Sequence, residues 1–467
     1  MENNQHFDIC VIGAGPGGYV AAIHAGRTGA KVALVEKTNF GGTCLNVGCI
    51  PTKTLIASTE ALHTAKHAMD FGIKIEGTIE ADWEHIQSRK DNIVTRLRGG
   101  IGNLLKNANV EVIRGTAEFT SETSVKVSYE ENEINLNSKK FIIATGSKPA
   151  IPGFIPRSSR VIDSTDLLAI QKIPKSLLVL GGGVIGCEFA SLFAELGTQV
   201  TIVEMLPNIL PEQDIDVSKQ ITREFKKRKV KIITGNALQD IKADESSVSG
   251  IAGKKEVSAD YMLVSIGRSA MTDGLKPEKA GIHINEKGFI PVNNRCETNI
   301  PNIYAIGDVS GSIQLAHLAS AMGLCAADNA VDIETEYDDS LVPGCIFTSP
   351  EIGSVGFTQQ YCEENEIPIK IGKFPFSALG KAMAINEISG FCKIIASAED
   401  DRILGVHIIG PHATDLISEA VTAMSLGATA EEVGNAVHAH PTLGESMMEA
   451  AHAVHEKCIH MPTIKKK

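Results

Sequence analysis

The sequence lacks any continuous apolar run approaching the roughly 20 residues that a transmembrane helix needs. Its first residues, MENNQH, lack the basic and apolar regions of a secretory signal, so we expect a cytoplasmic protein. An excess of basic residues is lacking as well, since 44 Lys and Arg face 56 Asp and Glu, a formal net charge of -12. The resulting anionic field argues against nucleic acid or an acidic membrane as the main partner.

The ten cysteines include no Cys-x-x-Cys pair, so a four-thiolate zinc site has no obvious ligands. Their irregular spacing in a long chain also excludes the disulfide framework of a small secreted protein. Most of them, such as Cys10 and Cys187, stand singly in apolar segments and are expected to be small buried residues. Cys44 and Cys49 differ, because they stand close together in a glycine-rich segment.

The length and composition indicate a globular protein of about three domains. At 467 residues the chain is too long for one core, because domains run to roughly 100–200 residues each. Hydrophobic residues make up 43% of the chain, which is enough apolar material to exclude long disordered tracts. Only the lysine tail at 465–467 is expected to be solvated.

A glycine loop, GAGPGG, lies between a predicted strand at 7–12 and a predicted helix. In this G-x-G-x-x-G pattern Gly13 permits a tight turn, Gly15 lets the backbone approach a pyrophosphate, and Gly18 lets the helix pack on the strand. The helix N-terminus attracts the phosphates. The next strand closes on Glu36, which can accept hydrogen bonds from the ribose of either FAD or NAD.

The same pattern recurs further along the chain. A predicted strand at 176–180 leads into GGGVIG and a helix, and a strand at 199–203 then closes on Glu204. The acidic residue follows the first glycine at the same distance in both copies, which two accidental loops would not reproduce. The chain is therefore predicted to bind two dinucleotides, the second at Gly181, Gly183, Ile185, Gly186 and Glu204.

Glu204 also indicates which dinucleotide the second loop binds. A carboxylate at this strand end repels a 2′-phosphate, and the three residues that follow, Met-Leu-Pro, provide no arginine to neutralise one. The second site is therefore predicted to favour NAD over NADP.

Cys44 and Cys49 lie in GGTCLNVGCIPTK, directly after the first strand–helix–strand unit. They can meet as a disulfide if the helix start is irregular, which Gly48 and Pro51 allow. A disulfide in a cytoplasmic protein is usually catalytic rather than structural. Two unrelated thiols are the alternative, which the position beside a dinucleotide loop disfavours.

This segment resembles the redox-disulfide segment of the pyridine nucleotide-disulfide oxidoreductases, and the similarity extends over essentially the whole chain. The resemblance implies an α/β fold with two Rossmann-like domains, for FAD and for NAD, and a C-terminal α/β dimerisation domain, hence a homodimer. The implied boundaries are 1–145 and 271–340 for the FAD domain, 146–270 for the NAD domain and 341–467 for the dimerisation domain.

Further cofactor contacts are implied by the same resemblance. The backbone of Ala117 meets the FAD adenine, Asp308 in YAIGD approaches the ribityl and phosphate region, and the N–H of Ala316 meets the flavin ring. The other positions implied in cofactor binding are Lys37, Gly42, Thr43, Lys53, Thr145, Gly146, Ala237 and Gly267.

The resemblance makes Cys44 the interchange thiol and Cys49 the thiolate beside the flavin. It also implies that Lys53, one helical turn after Cys49, approaches the flavin and pairs with Glu188. A cation at this position would stabilise both the thiolate and the reduced ring.

The segment HAHPTLGE supplies the base that a dithiol substrate needs, because the thiolate is the nucleophile. A near-neutral imidazole suits this task, and a carboxylate on its other nitrogen fixes the tautomer. His440 and Glu445 resemble the family's histidine–glutamate pair, which each subunit lends to its partner's disulfide. An alternative is a metal site, whose ligands would be His438, His440, Glu445, His452 and His455. It is disfavoured because the proline turn separates these ligands, and no metal is expected.

Within the family, the sequence is most similar to the branch that oxidises the dihydrolipoyl groups of 2-oxo acid dehydrogenase complexes. The implied partners are the lipoyl domains of the E2 subunits, with the glycine-cleavage carrier protein as an open addition. A glutathione-type reductase would use NADPH, which Glu204 disfavours. A mercuric reductase needs a C-terminal cysteine pair, whereas only Cys458 lies near the end, and a soluble transhydrogenase should lack Cys44. A purely structural subunit is disfavoured by the retained redox residues.

Overall fold

The computed structural model describes residues 4–462. The first three residues, which belong to the segment expected to lack a secretory signal, lie outside the described residues. The lysine tail at 465–467 lies outside them as well. The chain divides into two compact units: the first comprises Met1–Ile151, Asp163–Gln171 and Gly267–Asp339, and the second comprises Pro152–Ile162, Lys172–Ile266 and Ser340–Lys467. Among the described helices, none combines the length and the apolar character required to cross a membrane.

The N-terminal elements form most of one large sheet. In chain order they are β1 (Asn4–Ile12), α1 (Pro16–Arg27), β2 (Val32–Glu36), α2 (Gly42–Val47), α3 (Cys49–Lys66), α4 (Trp83–Asn107), β3 (Glu111–Arg114), β4 (Thr116–Ser121), β5 (Ser124–Tyr129), β6 (Asn132–Ile143) and β7 (Ser147–Pro149). β1, β2, β3 and β6 pair in parallel, whereas β4 and β5 form an antiparallel meander with β6. Every residue of β2 is buried, as in a parallel sheet covered on both faces.

A second parallel sheet follows. Its stretch of chain contains β8 (Val161–Ile162), α5 (Ser164–Leu168), β9 (Ser176–Leu180), α6 (Val184–Glu195), β10 (Gln199–Val203), α7 (Ile215–Lys227), β11 (Lys231–Ile233), β12 (Leu238–Ala243), β13 (Val248–Ala252), β14 (Lys255–Ala259) and β15 (Tyr261–Val264). The parallel order is β11-β10-β9-β15-β8, and β12-β13-β14 form a separate antiparallel sheet. The strands predicted at 176–180 and 199–203 are confirmed as β9 and β10.

The chain then returns to the first unit with β16 (Arg268–Ala270), β17 (Ile303–Ala305) and α8 (Ala316–Ala330). β17 pairs in parallel with β6 and completes the first sheet. α8 packs on α1 at glycines: a Cβ on Gly17 would lie 2.6 Å from the carbonyl oxygen of Ala319, and one on Gly323 would lie 2.5 Å from that of Gly17. The first turn of α1 is therefore in contact with the first half of α8.

The C-terminal elements form an antiparallel sheet with helices. They are β18 (Gly344–Ile346), β19 (Glu351–Gly356), α9 (Gln359–Glu364), β20 (Ile369–Pro375), α10 (Gly380–Ala384), β21 (Phe391–Ser397), β22 (Ile403–Gly410), α11 (Ala413–Ser425), α12 (Ala430–Asn435) and α13 (Glu445–Val454). The strand order is β18-β19-β22-β21-β20. Buried side chains from this sheet, α11 and α13 form one core, which includes Phe374, Ile408 and Met447. Short 3₁₀ turns lie at Ala68–Phe71, Pro277–Ala280, Gly307–Ser310 and Phe376–Ala378.

Candidate active site

The first glycine loop has the conformation that its pattern predicts. Gly13 has φ +104°, and a Cβ there would lie 2.4 Å from the carbonyl oxygen of Ala144. A Cβ on Gly18 would lie 1.9 Å from the carbonyl oxygen of Gly13, so both positions exclude a side chain. Gly15 differs, because no atom lies within 4 Å of the position its Cβ would take. The middle glycine therefore faces open space into which a phosphate fits.

The second loop repeats this arrangement. Gly181 has φ +104°, with the Ser265 carbonyl oxygen 2.4 Å from the position of an added Cβ. A Cβ on Gly186 would lie 2.1 Å from the carbonyl oxygen of Gly181, whereas Gly183 again has nothing within 4 Å. Ile185 is half-buried in the first turn of the helix that follows.

The helices after the two loops begin without a side-chain cap. Gly15 is the N-cap of α1 and Gly183 that of α6, and neither helix has a side chain bonded to its first N–H groups. Each helix has 12 residues, so its N-terminus carries a substantial partial positive charge. These free N–H groups and the open space beside each middle glycine form a site for an anion such as a pyrophosphate.

The two acidic residues, Glu36 and Glu204, make equivalent hydrogen bonds at their own glycine loops. The backbone N–H of Ala14 donates to Oε2 of Glu36 at 2.8 Å, and that of Thr38 donates to Oε1 at 2.7 Å. At the second site Gly182 donates to Oε2 of Glu204 at 2.7 Å, and Leu206 donates to Oε1 at 2.8 Å. Each carboxylate is thus fixed against its own glycine loop at the carboxyl end of the sheet.

The residues directly after Glu204 carry no positive charge. Met205 and Leu206 are exposed apolar side chains. The backbone N–H of Asn236 donates to the Glu204 carbonyl oxygen at 3.3 Å, which brings the exposed Ala237 to the same strand end. A ribose held here would meet a carboxylate and apolar surface.

The residues predicted for the first cofactor lie around the first loop. The N–H of Gly115 donates to the Glu36 carbonyl oxygen at 3.1 Å, which places the buried Ala117 on the chain leaving this strand end. A Cβ on Gly42 would lie 2.7 Å from Cα of Gly15, so α2 starts against the loop. Lys37 and Thr43 are exposed at these edges.

Thr145 is the clearest sign that a polar group belongs in this site. Its Oγ1 is buried and makes no hydrogen bond within the described chain, which is costly for a hydroxyl. Gly146 beside it has φ +74° and open space at its Cβ position. Ala316 is the first residue of α8, and the N-cap residue before it, Leu315, makes no side-chain hydrogen bond to the helix. These features fit a large ligand with hydrogen-bonding groups.

Two residues near Asp308 were missed by the sequence analysis. Ser147 donates to the Asp308 carboxylate, and Arg268 Nε donates to Ser147 Oγ at 2.7 Å while lying 3.8 Å from Oδ2 of Asp308. No local motif marks them, because β7 and β16 meet only in the folded chain. Gly267, just before Arg268, has φ +135°.

The cysteine pair sits at a break between two helices. Gly48 has φ -146° and ψ -112°, which ends α2 and lets α3 begin at Cys49. Both cysteines are thiols here and are hydrogen-bonded to each other. That hydrogen bond, together with burial, raises the pKa of Cys44 well above its usual value, although the Lys53 charge opposes the rise. Cys49 begins the 18-residue α3, and the partial positive charge of this helix N-terminus favours Cys49 as the thiolate.

His440 and Glu445 lie in direct contact in the C-terminal part of the chain. Nδ1 of His440 is 2.8 Å from Oε1 of Glu445, and the N–H of Thr442 donates to Oε2 at 2.9 Å. Burial raises the pKa of Glu445, but the hydrogen bonds from His440 and Thr442 outweigh it and hold the pKa below its usual value. The imidazole is 77% exposed, so its other nitrogen is available to a substrate.

The histidines of the rival metal hypothesis contact different carboxylates. Nε2 of His438 lies 2.8 Å from Oε1 of Glu419, and that of His455 lies 3.1 Å from Oδ1 of Asp401. Among residues 4–462, no group of three or more His, Cys, Asp or Glu side chains is arranged to hold a metal ion.

Glu188 lies in the second turn of α6. Its side chain is buried, and Oε1 accepts the backbone N–H of Phe347 at 2.9 Å. Lys53 is half-buried on α3 and close enough to act electrostatically on Cys44. The predicted pairing of Lys53 with Glu188 stays a prediction.

Two family models match the chain. The model described as pyridine nucleotide-disulphide oxidoreductase matches residues 7–323, and that of the dimerisation domain of the same proteins matches residues 342–451. Among curated proteins, a dihydrolipoyl dehydrogenase of Chlamydia muridarum is 42% identical over 99% of this chain and 100% of its own length. One from Bacillus subtilis is also 42% identical, over 97% of this chain and 99% of its own.

Solved structures are similar over nearly the full length as well. The HOCl-induced flavoprotein disulfide reductase RclA from Escherichia coli, in a Cu(II) complex, has a TM-score of 0.88 and 30% identity, covering 96% of this chain and 99% of its own. LpdA from Mycobacterium tuberculosis has a TM-score of 0.88 and 26% identity, covering 95% of this chain and 99% of its own.

Proposed function

The chain belongs to the pyridine nucleotide-disulphide oxidoreductase family, and from this membership we propose that it is a flavin-dependent dihydrolipoyl dehydrogenase that oxidises protein-bound dihydrolipoamide and reduces NAD. The observation that carries the proposal is the hydrogen-bonded pair Cys44 and Cys49, held at the start of α3 beside the first glycine loop. When this pair is oxidised to a disulfide, it can exchange with a substrate dithiol, so that the protein pair becomes the dithiol and the substrate becomes the disulfide.

Two cofactors fit the two glycine loops. FAD would be held by Gly13, Gly15, Gly18 and Glu36, with the unpartnered Thr145 hydroxyl, Asp308 and the N–H of Ala316 as further contacts. NAD would be held by Gly181, Gly183, Gly186 and Glu204. Bound FAD supplies the chemistry that converts a two-electron thiol oxidation into hydride transfer to NAD.

The protein's own residues control the proton and the sulfur exchange. His440 of the partner subunit accepts a proton from one substrate thiol, and Glu445 stabilises the resulting imidazolium. The substrate thiolate then attacks Cys44 of the disulfide and displaces Cys49 as a thiolate. The second substrate thiol attacks the substrate sulfur of the mixed disulfide and expels Cys44, which takes up the proton of that thiol, and oxidised lipoamide is released. Lys53 and the N-terminus of α3 favour Cys49 as the anion.

The organisation proposed for the chain follows the same resemblance. The domains are 1–145 with 271–340 for FAD, 146–270 for NAD and 341–467 for dimerisation, and the match to a dimerisation domain supports a homodimer. The proposed partners are lipoyl domains of 2-oxo acid dehydrogenase complexes and the glycine-cleavage carrier protein, in the cytoplasm.

The test is a steady-state assay of the purified, FAD-loaded protein with free dihydrolipoamide and NAD. Activity should be high with NAD and should vanish in Cys44→Ser and in Cys49→Ser, while Cys362→Ser, a buried cysteine of α9, serves as the matched control. A protein that binds FAD but reduces NAD no faster with dihydrolipoamide than without it would refute the proposed function.

A further inference from the structure

One histidine of the segment that carries His440 turns away from solvent. Residues 436–444 join α12 to α13 and have no regular secondary structure. Every residue from 435 to 441 is exposed except His438, whose side chain is only 10% exposed. An inward side chain in such an exposed run indicates a specific contact. The proposed reaction uses His440 and gives His438 no task.

Both ring nitrogens of His438 face oxygen atoms. Nδ1 lies 2.8 Å from the carbonyl oxygen of Ala436, and Nε2 lies 2.8 Å from Oε1 of Glu419. A carbonyl oxygen and a carboxylate can only accept hydrogen bonds, so both contacts are satisfied when the ring donates from each nitrogen. The bond to Glu419 is then charge-assisted, and such bonds are about twice as strong as those between neutral groups.

Glu419 provides a rigid attachment point for this segment. It lies in the middle of α11, whose buried side chains Ile417 and Ala420 belong to the core of the C-terminal sheet. A group carried by a packed helix is held more precisely than a group carried by a loop. Ala436, by contrast, belongs to the same segment as His438. Of the two bonds, only the one to Glu419 therefore ties the segment to another element of the fold.

The attachment at His438 lies two residues before the base. Two residues span at most about 7 Å of chain, so a fixed His438 confines the backbone of His440. Thr442 Oγ1 donates to the carbonyl oxygen of Ala439 at 2.7 Å, which closes the turn around the base. Glu445, the first residue of α13, holds the imidazole itself through Nδ1. The segment is thus attached to α11 before His440 and to α13 through the imidazole.

We propose that His438 is a positioning residue for the base, because its bond to Glu419 holds the segment in the place where Nε2 of His440 meets the substrate thiol. This inference rests on the proposed function, since only a dithiol substrate gives His440 a proton to remove. Proton transfer requires the base to lie within hydrogen-bond reach of the thiol. A misplacement of about 1 Å can slow a reaction by about 100-fold. Without the bond to Glu419, the imidazole keeps its contact with Glu445, but the backbone that carries it can shift.

The test uses the FAD-loaded protein and variants that remove one bond at a time. An asparagine amide can place its N–H where Nδ1 of a histidine lies, and a glutamine amide can place its own where Nε2 lies. His438→Asn therefore keeps the bond to Ala436 and loses the one to Glu419, whereas His438→Gln keeps the bond to Glu419. Glu419→Ala removes the acceptor instead. Its side chain is 40% exposed on α11, so this variant should fold even where a change at His438 does not.

The kcat for oxidation of dihydrolipoamide should fall by about 10- to 100-fold in His438→Asn and in Glu419→Ala, and should stay close to the unmodified value in His438→Gln. KM for dihydrolipoamide should change less than kcat, since the bond places the base rather than the substrate. The rate at which NADH reduces ferricyanide through the flavin should not change, because that reaction involves no substrate thiol. His455→Asn is the matched control, because it breaks another histidine–carboxylate pair, with Asp401, in the C-terminal part of the chain.

The outcomes separate this inference from the proposed function. Equal kcat values in His438→Asn and His455→Asn would overturn the positioning role, as would a parallel fall of the ferricyanide rate or a His438→Gln variant as slow as His438→Asn. If His438→Asn does not fold, Glu419→Ala decides, and full activity there refutes the role. An unmodified protein that passes electrons from NADH to ferricyanide but does not oxidise dihydrolipoamide would instead refute the proposed function.

Discussion

Oε2 of Glu204 accepts the backbone N–H of Gly182 at 2.7 Å, and Oε2 of Glu36 accepts that of Ala14 in the same way at 2.8 Å. Each acidic residue therefore belongs to its glycine loop and is held in place before any ribose arrives. A preorganised acceptor costs little further ordering when a ligand binds, so its contribution to affinity is large for its size.

The first prediction concerns the choice between NAD and NADP. A hydrogen bond to a charged group is worth about 1.5–3 kcal/mol, so kcat/KM for NAD should exceed that for NADP by a factor of about 10 to 100 or more. Glu204→Ala combined with Met205→Arg should narrow or reverse this ratio, because it removes the repulsion and adds a cation. Equal kcat/KM values for the two dinucleotides in the unmodified protein would contradict the assignment.

The second prediction is spectroscopic and concerns the two sulfurs of the redox pair. Because Cys49 lies at the N-terminus of α3, which favours an anion, reduction by two electrons should leave a Cys49 thiolate and give a long-wavelength charge-transfer band. Alkylation of Cys44 in the reduced protein should preserve the band, and Cys49→Ser should abolish it. Bleaching of the flavin without such a band would argue against the assignment of Cys49 as the thiolate beside it.

The glycine loops could be predicted because their requirements are local. Positive φ at Gly13 and the close approach of Gly18 to Gly13 depend on residues only a few positions apart, and the sequence pattern contains them all. The contact of Ser147 and Arg268 with Asp308 could not be predicted, because three distant segments supply it and each residue alone is unremarkable.

A buried lysine is the most unexpected feature of the C-terminal sheet. Lys393 on β21 has a side-chain exposure of 0%, and Nζ donates to Asp214 Oδ1 at 2.8 Å and to Gln359 Oε1 at 2.7 Å. Asp214 also caps α7 through its contact with the N–H of Asp216. The sequence FCKIIAS gives no sign of this, because an isolated lysine in a strand ordinarily points to solvent.

The third prediction follows from this buried network. Lys393→Met should cost about 3–5 kcal/mol of the free energy of unfolding, because it leaves buried carboxylates without their cation. The measurement is the free energy of unfolding from a denaturant titration, and Lys370→Met, which removes an exposed lysine on β20, is the matched control. A shift no larger than that of the control would show that the network adds nothing to stability.

The same network predicts how the stability of the fold depends on pH. Burial raises the pKa of Asp214, but the charges of His407 and Lys393 and the Lys393 hydrogen bond outweigh it and hold the pKa below its usual value. Because the pKa is lowered in the folded state, the carboxylate stabilises the fold at pH values above its unfolded-state pKa of about 3.9. This contribution is lost as the pH falls through the folded-state pKa. Unfolding on acid titration should begin at a higher pH in Lys393→Met than in Lys370→Met.

The last prediction joins the base to the dimer. His440→Gln should slow dihydrolipoamide oxidation by roughly 10²–10⁴-fold, the usual contribution of a general base, and should leave the FAD content normal. Glu445→Gln should lose less, because Glu445 orients the imidazole through Nδ1 and does not itself take the substrate proton. Dimers that combine one His440→Gln subunit with one Cys44→Ser subunit, purified with two different tags, provide the decisive measurement. If the histidine acts across the interface, one site in such a dimer has both an intact disulfide and an intact histidine, and half of the native activity per dimer should return. Mixed dimers as inactive as their parents would show that His440 works within its own chain or is not the base.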